Sequence, residues 1–142
     1  MNTNININTN KTHTNNTKTK NIYANYQKAI QTKLTKNLLD LIVLQLINQQ
    51  AMHGYQIITK THQIFGANFG PSTIYPLLTK LEKKGYLHSN WNMNAEKPCK
   101  VFTITTTGKN IITYTENSLN NICKTIQKTE NTQPTTPYTY IH

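Results

Sequence analysis

The sequence predicts a mainly helical α+β fold in which a two-stranded hairpin is set between helices. Apolar residues recur at helical spacing in four segments before residue 85 and again after residue 108. Strand-like alternation occurs only between residues 86 and 107. The chain has 142 residues, of which 36% are hydrophobic, so we expect one small domain with polar tails.

The charge of the chain is strongly positive and unevenly distributed. Fifteen basic residues, all of them Lys, stand against five acidic residues, which gives a formal net charge of +10. Residues 1–36 contain several of these Lys and no acidic residue. This imbalance favours a polyanionic partner, either nucleic acid or an anionic membrane surface, through long-range attraction and counterion release.

Several classes of protein are excluded by simple features of the sequence. The longest apolar run, residues 38–47, is interrupted by Asp40 and Gln45 and is shorter than the roughly 20 residues that span a bilayer. Residues 1–20 lack the apolar segment of a secretory signal. Cys99 and Cys123 show no metal-ligand or disulfide spacing, so no metal and no other cofactor is predicted. We expect a cytoplasmic protein without a membrane span.

The two ends of the chain are polar, and a helix is predicted after the first of them. Residues 1–20 carry charge of one sign and are expected to form a disordered basic arm. This arm either has no function or lies along a polyanion such as DNA, where it would add nonspecific affinity that falls as the salt concentration rises. Residues 131–142 are expected to be a flexible tail. Between them, an amphipathic helix over residues 21–36 is indicated by apolar residues at every fourth position, namely Ile22, Tyr26, Ile30 and Leu34.

Three further helices are predicted to form the core. Residues 38–47 are apolar on nearly all sides, which indicates a buried central helix. The run MHGYQIITKTHQIFG predicts a second core helix, which Gly66 is placed to end. A third helix is predicted to start at a capping Ser72 and to stop at Gly85. Its apolar residues follow the i, i+3, i+4, i+7 pattern and are Ile74, Leu77, Leu78 and Leu81.

The opposite face of this third helix is the first candidate functional surface. At 100° per residue it presents hydroxyls, an aromatic ring and ammonium groups, which suit a phosphate or a base edge. These residues are Ser72, Tyr75, Pro76, Thr79, Lys80 and Lys83. The alternative is a solvated helix face with a tyrosine that caps the core. We expect Pro76, in the fourth helical position, to distort the first turn slightly.

The chain then changes from helical to strand periodicity and back. The segments YLHSNWNM and KVFTIT predict a hairpin whose polar turn places Lys97 and Lys100 near its tip. Residues 108–130 return to helical spacing and carry a heptad seam, which consists of Ile112, Thr115, Leu119, Ile122 and Ile126. Nothing earlier in the sequence is left over to cover this seam. A second copy of the chain is therefore the simplest partner for it.

The order of three helices, a polar outer face and a hairpin is that of a winged helix-turn-helix, here over residues 21–107. An isolated helix fits the major groove of duplex DNA, where the donors and acceptors of base edges can be read. Flanking Lys, hydroxyl and amide groups fix the register on phosphates. The order of elements therefore indicates double-stranded DNA as the partner.

Specific motifs in this region resemble a known family. The run MHGYQI, the run GPSTIYPLLTKLEKKGYL, a Trp in the first wing strand and the run KPCKVFTITTTGK together resemble the PadR family of transcriptional regulators. The resemblance covers residues 38–112 and implies a homodimeric repressor-type regulator on palindromic operator DNA. It implies dimerisation through the C-terminal helix, often helped by the N-terminal one.

The resemblance also implies roles for particular residues. It places Tyr55 and the start of its helix against the phosphate backbone and the wing on the adjacent minor groove. It places in or near the major groove the residues Ser72, Thr73, Tyr75, Pro76 and Lys80. The wing departs from the family pattern GRPRKYY, because residues 96–102 read EKPCKVF. Without Arg, base recognition has to use Lys, Thr, Ser, Tyr or DNA shape.

Other interpretations of the sequence stay open. A winged-helix module that binds a protein partner would use the same fold, with the Lys residues serving solubility. An enzyme is disfavoured because no Ser has a recognisable His and acid arrangement and acids are few. Trp91 is expected to pack between wing and core, His53 to lie at a helix start, and Cys99 to be a bystander rather than an oxidant sensor. The sequence identifies no small-molecule effector.

Overall fold

The computed structural model describes residues 11–129, and the side chains of residues 17–129. These residues form five helices and a small three-stranded antiparallel sheet. In chain order the elements are α1 (Lys11–Asn37), α2 (Leu39–Gln49), β1 (Met52–His53), α3 (Gly54–Phe65), α4 (Pro71–Lys83), β2 (Leu87–Asn92), β3 (Cys99–Ile104) and α5 (Thr106–Thr129). The mainly helical α+β fold with a winged helix is confirmed.

Helix α1 starts ten residues earlier than the sequence pattern indicates. It begins at Lys11, so the expectation of disorder over residues 11–20 is wrong. Once the amphipathic segment has nucleated a helix, each further residue adds a backbone hydrogen bond, which extends the helix into a polar sequence. The remainder of the arm, residues 1–10, and the C-terminal tail lie outside the described residues.

The apolar stripe of α1 is not buried within the chain. Ile22, Tyr26, Ile30 and Leu34 are each more than half exposed. Over residues 17–37 of this helix only Thr35 is buried, and its hydroxyl donates to the Gln31 carbonyl at 2.7 Å. The apolar face of α1 thus has no partner among the described residues.

Helices α2 and α3 provide the centre of the core. The fully buried residues of α2 include Val43, Leu44 and Ile47, as its all-round apolar sequence predicts. His53 lies at the start of α3, where its ring nitrogen accepts the Gln56 N–H while the Gln56 side chain accepts the His53 N–H. This reciprocal capping satisfies two backbone donors. Gly66 ends α3 with a φ of 64°, a conformation that favours glycine.

Helix α4 starts differently from the prediction and ends as predicted. Gly70 precedes the helix and Pro71 is its first residue, so the expected cap at Ser72 is wrong. Proline fits the first helical position because its missing N–H would be unpaired there and its φ is already helical. Pro76 is consequently the sixth residue rather than the fourth. Gly85, at φ 75°, ends the helix.

The sheet has the order β1-β3-β2. The predicted hairpin is confirmed, with Leu87 opposite Ile104 and Trp91 opposite Lys100. The third strand, β1, was not predicted, because two residues are too few to show an alternating pattern. In it Met52 pairs with Phe102, and this pairing fixes the start of α3 beside the hairpin.

Helix α5 is attached to the core through its first turns. The Thr105 hydroxyl accepts the Gly108 N–H at 3.0 Å at the start of the helix. Gly108 is buried, and a Cβ there would lie 2.2 Å from the Tyr86 carbonyl oxygen. Ile112 is buried in the core of its own chain, and α5 also contacts α2 through a Gln45–Glu116 hydrogen bond. Ile112 is therefore not available to a second copy, and its inclusion in the dimer seam is corrected.

Within residues 11–129, no helix combines the length and the apolar character that crossing a bilayer requires.

Candidate nucleic-acid interface

Helix α4 divides cleanly into a buried and an exposed face. Its apolar residues at positions 74, 77, 78 and 81 are buried in the core. The residues predicted for the outer face are all exposed, namely Ser72, Tyr75, Pro76, Thr79, Lys80 and Lys83. Thr73, which the family resemblance adds, is exposed as well. The helix thus presents hydroxyl, aromatic and ammonium groups to solvent along its whole length.

A groove separates α4 from the hairpin and extends to the start of α3. It brings together several of the predicted site residues, which lie far apart in the sequence. Its walls include Gly54 and Tyr55 of α3, Tyr75 and Thr79 of α4, and Trp91, Lys97 and Lys100 of the hairpin. A second, shallower surface along α4 joins the groove at Thr79 and contains Pro76, Lys80 and Lys83. Ser72 and Thr73 line neither surface and lie exposed at the start of α4.

The contact between α3 and α4 depends on Gly54. A Cβ at this position would lie 2.5 Å from Cε1 of Tyr75, so the aromatic ring packs directly on the backbone at the start of α3. Tyr75 nevertheless remains 47% exposed. This close approach holds the ring of Tyr75 on the floor of the groove, beside the exposed Tyr55.

Two of the predicted Lys residues are engaged in ion pairs. Lys80 Nζ lies 3.1 Å from Asp40 Oδ2 of α2, and both side chains are about half exposed. Lys100 Nζ lies 2.9 Å from Glu82 Oε2 of α4. The prediction placed Lys100 near the hairpin tip, whereas it lies in β3 with its ammonium group bonded to α4. Neither ammonium group reaches a phosphate without competition from its carboxylate partner.

Glu82 connects α4 to both strands of the hairpin. Its carboxylate accepts hydrogen bonds from the Ser89 hydroxyl of β2 and from the Lys100 ammonium of β3. These two hydrogen bonds, the first from Ser89, lower the pKa of Glu82 below its ordinary value because they stabilise the ionised form. Glu82 therefore links the outer helix to both strands of the wing.

The remaining predicted Lys residues have unneutralised charges. Neither Lys83 nor Lys97 forms an ion pair with any residue in the described part of the chain. The Nζ atom of the neighbouring Lys84 lies over the ring of Tyr86, 5.8 Å from the ring centroid. Within the groove and the surface that joins it, the unpaired positive charge thus lies at the end of α4 and at the hairpin turn.

The expectation that Trp91 packs between wing and core is wrong, since 64% of this residue is exposed. Trp91 shares one face of β2 with Leu87, which is buried, and Ser89, which bonds to α4. That face extends past the edge of the core, where no helix within residues 11–129 covers the indole. Sequence alternation gives the face of a residue but not the point at which the core ends.

Other residues of the site carried signals too weak to use from the sequence. Gly54 was visible as a glycine between His53 and Tyr55, but its contact is with a residue 21 positions away. Asp40 and Glu82 have no neighbour in the sequence that signals their role in the site. Their partners lie 40 and 18 positions away in the sequence, and only the tertiary fold brings them together.

The predicted seam of α5 is exposed only in its second half. Thr115 and Leu119 are half-buried, whereas Ile122 and Ile126 are 54% and 59% exposed. The apolar residues near the end of α5 therefore have no cover within the described residues.

These features define a winged-helix protein with an outward helix and a cationic hairpin beside it. The chain belongs to the transcriptional regulator PadR-like family, whose sequence profile matches residues 43–113. The matched region includes most of α2, then β1, α3, α4, the hairpin and about the first two turns of α5. Among curated proteins, none matches this sequence.

Solved structures share the fold at low sequence identity. A PadR family transcriptional regulator from Eggerthella lenta DSM 2243 is 24% identical with a TM-score of 0.67, over 79% of this chain and 98% of that one. A PadR family transcription regulator from Clostridium difficile R20291 is 19% identical with a TM-score of 0.57, over 64% and 96%. A Streptococcus transcriptional regulator is 24% identical with a TM-score of 0.58, over 70% and 98%.

Proposed function

We propose that this chain is a dimeric, sequence-specific DNA-binding repressor. In this proposal α4 enters the major groove of a palindromic promoter operator and the wing lies on the adjacent backbone and minor groove. The observation that carries the proposal is the exposed face of α4, which joins the cationic groove of the wing in one surface. The mechanism requires no catalysis, and we expect the protein to act in the cytoplasm.

The chemistry of this surface suits DNA. Hydroxyls of Ser72, Thr73 and Thr79 can donate to phosphates or accept from base edges, and Lys83 and Lys97 offer unneutralised ammonium groups. Tyr55 stands exposed at the start of α3, where its hydroxyl can reach a phosphate. Because the chain has no Arg, it makes no guanidinium contact with guanine, and DNA shape contributes to recognition.

Dimerisation through α5 is supported by the residues that the chain leaves uncovered. Ile122 and Ile126 are exposed on α5, and the stripe of α1 that contains Tyr26 and Ile30 is exposed as well. Apolar faces of this kind gain stability when a second copy covers them. A two-fold dimer would present two copies of α4 to successive major grooves on one face of the duplex.

A second candidate function is a winged-helix module that binds a protein partner. The observation that favours it is the exposure of Trp91 and Met93, at 64% and 69%, on the hairpin. Exposed aromatic and apolar side chains are typical of protein interfaces. The DNA-binding proposal is preferred because the same groove also carries positive charge. Lys97 lines the groove, and Lys83 lies on the adjoining surface that meets the groove at Thr79.

The two functions are separated by a binding experiment on the purified chain. Fluorescence anisotropy would follow its binding to a labelled duplex from its own upstream region and to an unrelated duplex, each at two salt concentrations. The proposal predicts tighter binding to the upstream duplex and a preference that persists at the higher salt. Equal binding to both duplexes that disappears with salt would show only nonspecific attraction. Absence of binding to either duplex would favour the protein-binding module.

A further inference from the structure

We propose that Trp91 is the principal DNA contact of the wing and packs its indole against the deoxyribose edge of the duplex at the minor groove. This inference rests on the proposed function. The wing has no Arg that could enter the minor groove, and the inference assigns the minor-groove contact to an apolar side chain instead.

The hairpin has one face that points toward α4, and Trp91 is its last residue on β2. Residues at positions 87, 89 and 91 share a face because side chains alternate along a strand. Leu87 is buried, and Ser89 bonds to Glu82. On β3, the partner of Ser89 is the buried Phe102 and the partner of Trp91 is Lys100, which also bonds to Glu82. The indole therefore points to the same side as α4 rather than to the outer side of the wing.

The indole projects where the core no longer covers the hairpin. Trp91 is 64% exposed, although its neighbours on the same face are buried or hydrogen-bonded. It lines the groove together with Tyr55, Tyr75 and Thr79. A large aromatic side chain that is held in place by a paired strand offers contact area at a small cost in conformational entropy.

The charge around the groove favours a polyanion as the occupant. Lys97 lies at the turn beside the indole, and Lys83 lies on the surface that continues from Thr79. Glu96 is the acid of the same turn, whereas the carboxylate of Glu82 is taken up by Lys100 and Ser89. Deoxyribose is the apolar part of a DNA backbone, and apolar side chains pack on it or wedge between base steps in the minor groove.

The chain contains a single Trp beside eight Tyr, so fluorescence excited at a wavelength beyond the Tyr absorption band reports on Trp91 alone. We would titrate the full chain with an unlabelled duplex of its own upstream region and follow the tryptophan emission. The inference predicts that the emission is quenched or shifted with the same midpoint that anisotropy gives for the labelled duplex. Binding by anisotropy without any change in emission would overturn the inference and leave the proposed function intact.

Variants test whether the contact is apolar. Trp91→Ala should weaken binding to the upstream duplex about tenfold. Trp91→Phe, which keeps an aromatic ring, should lose less of this affinity. Because no charge is removed, the dependence of affinity on salt should keep its slope in both variants. A matched control is Ile64→Ala, which removes a side chain 60% exposed on α3 outside the groove and should leave affinity unchanged.

The outcomes separate the inference from the proposed function. Circular dichroism would first establish that Trp91→Ala unfolds at the temperature of the parent chain, as expected for an exposed residue. Parental affinity of a folded Trp91→Ala variant would overturn the inference. Absence of DNA binding by the parent chain itself would overturn the proposed function, and a peptide or protein ligand that changes the emission would then assign Trp91 to the alternative module.

Discussion

At the scale of single residues, the site depends on contacts that hold side chains in place rather than on unusual residues. Gly54 lets the ring of Tyr75 rest on the backbone of α3, where a Cβ would lie 2.5 Å from the ring. Glu82 binds one side chain from each strand of the hairpin. Because both contacts join the outer helix to a neighbouring element, a small change in either one alters the shape of the groove.

The first prediction concerns Glu82 and pH. Its folded-state pKa is lowered, so its stabilising effect is present above the unfolded-state pKa and is lost as the pH falls through the folded-state pKa. Glu82→Gln should lower the melting temperature by about 2–4 °C near neutral pH. The difference from the parent chain should shrink in strongly acidic buffer.

Thermal melts of both chains, followed by circular dichroism across acidic and neutral buffers, provide the measurement. The same Glu82→Gln variant should also bind the upstream duplex more weakly at neutral pH, because the wing loses its ionic connection to α4. A stability difference that is constant with pH would show that the carboxylate charge is not the source of the effect.

At the scale of elements, α4 is the part that the proposed function depends on most. Its outer face carries Lys83 without an ion-pair partner in residues 17–129, whereas Lys80 is bonded to Asp40. A Lys that is already paired contributes less new attraction to a phosphate than one that is not. Lys83 is therefore the sharper probe of the orientation of this helix.

The second prediction compares two substitutions that remove one exposed positive charge each. Lys83→Ala should weaken binding to the upstream duplex by about fivefold and reduce the salt slope by about one. Lys28→Ala, on α1, should have a much smaller effect. Anisotropy at several salt concentrations measures both quantities, and equal losses in the two variants would show that α4 is not the helix in the groove.

The third prediction concerns α5. Ile122→Asp places a charge among the exposed apolar residues of the seam and should convert dimers to monomers. The fold of each chain should be kept, because Ile122 is 54% exposed in the single chain. Asn121→Asp introduces the same charge on the other side of α5 and serves as the control. Sedimentation equilibrium that gives dimers for both variants would place the interface elsewhere.

The same elements show how much the sequence could predict. The buried faces of α2 and α4, the end of α3 at Gly66 and the hairpin follow from local periodicity and backbone preference, which the sequence carries directly. The ion pair between Lys80 and Asp40 joins residues 40 positions apart, and it depends on how α2 and α4 pack. For the same reason, the burial of Ile112 in the core of its own chain could not be read from the heptad pattern alone.

At the scale of the whole molecule, the structure combines the exposed surface of α4 and the wing with apolar faces on α1 and α5 that no described residue covers. In the proposed function, the formal charge of +10 supplies long-range attraction to DNA, and specificity comes from the short-range surface of α4 and the wing. The exposed residues of α1 and α5 provide a route to a two-fold assembly. Such an assembly would set the spacing between two copies of α4.

Hydroxyl-radical footprinting on the upstream duplex tests this central claim most directly. Two copies of α4 on one face of the duplex should give two protected segments centred about 10 base pairs apart, or a multiple of one helical turn. The protection should persist in the presence of competing unrelated duplex. Uniform weak protection along the duplex, or a single protected segment from a protein that sediments as a dimer, would contradict the account.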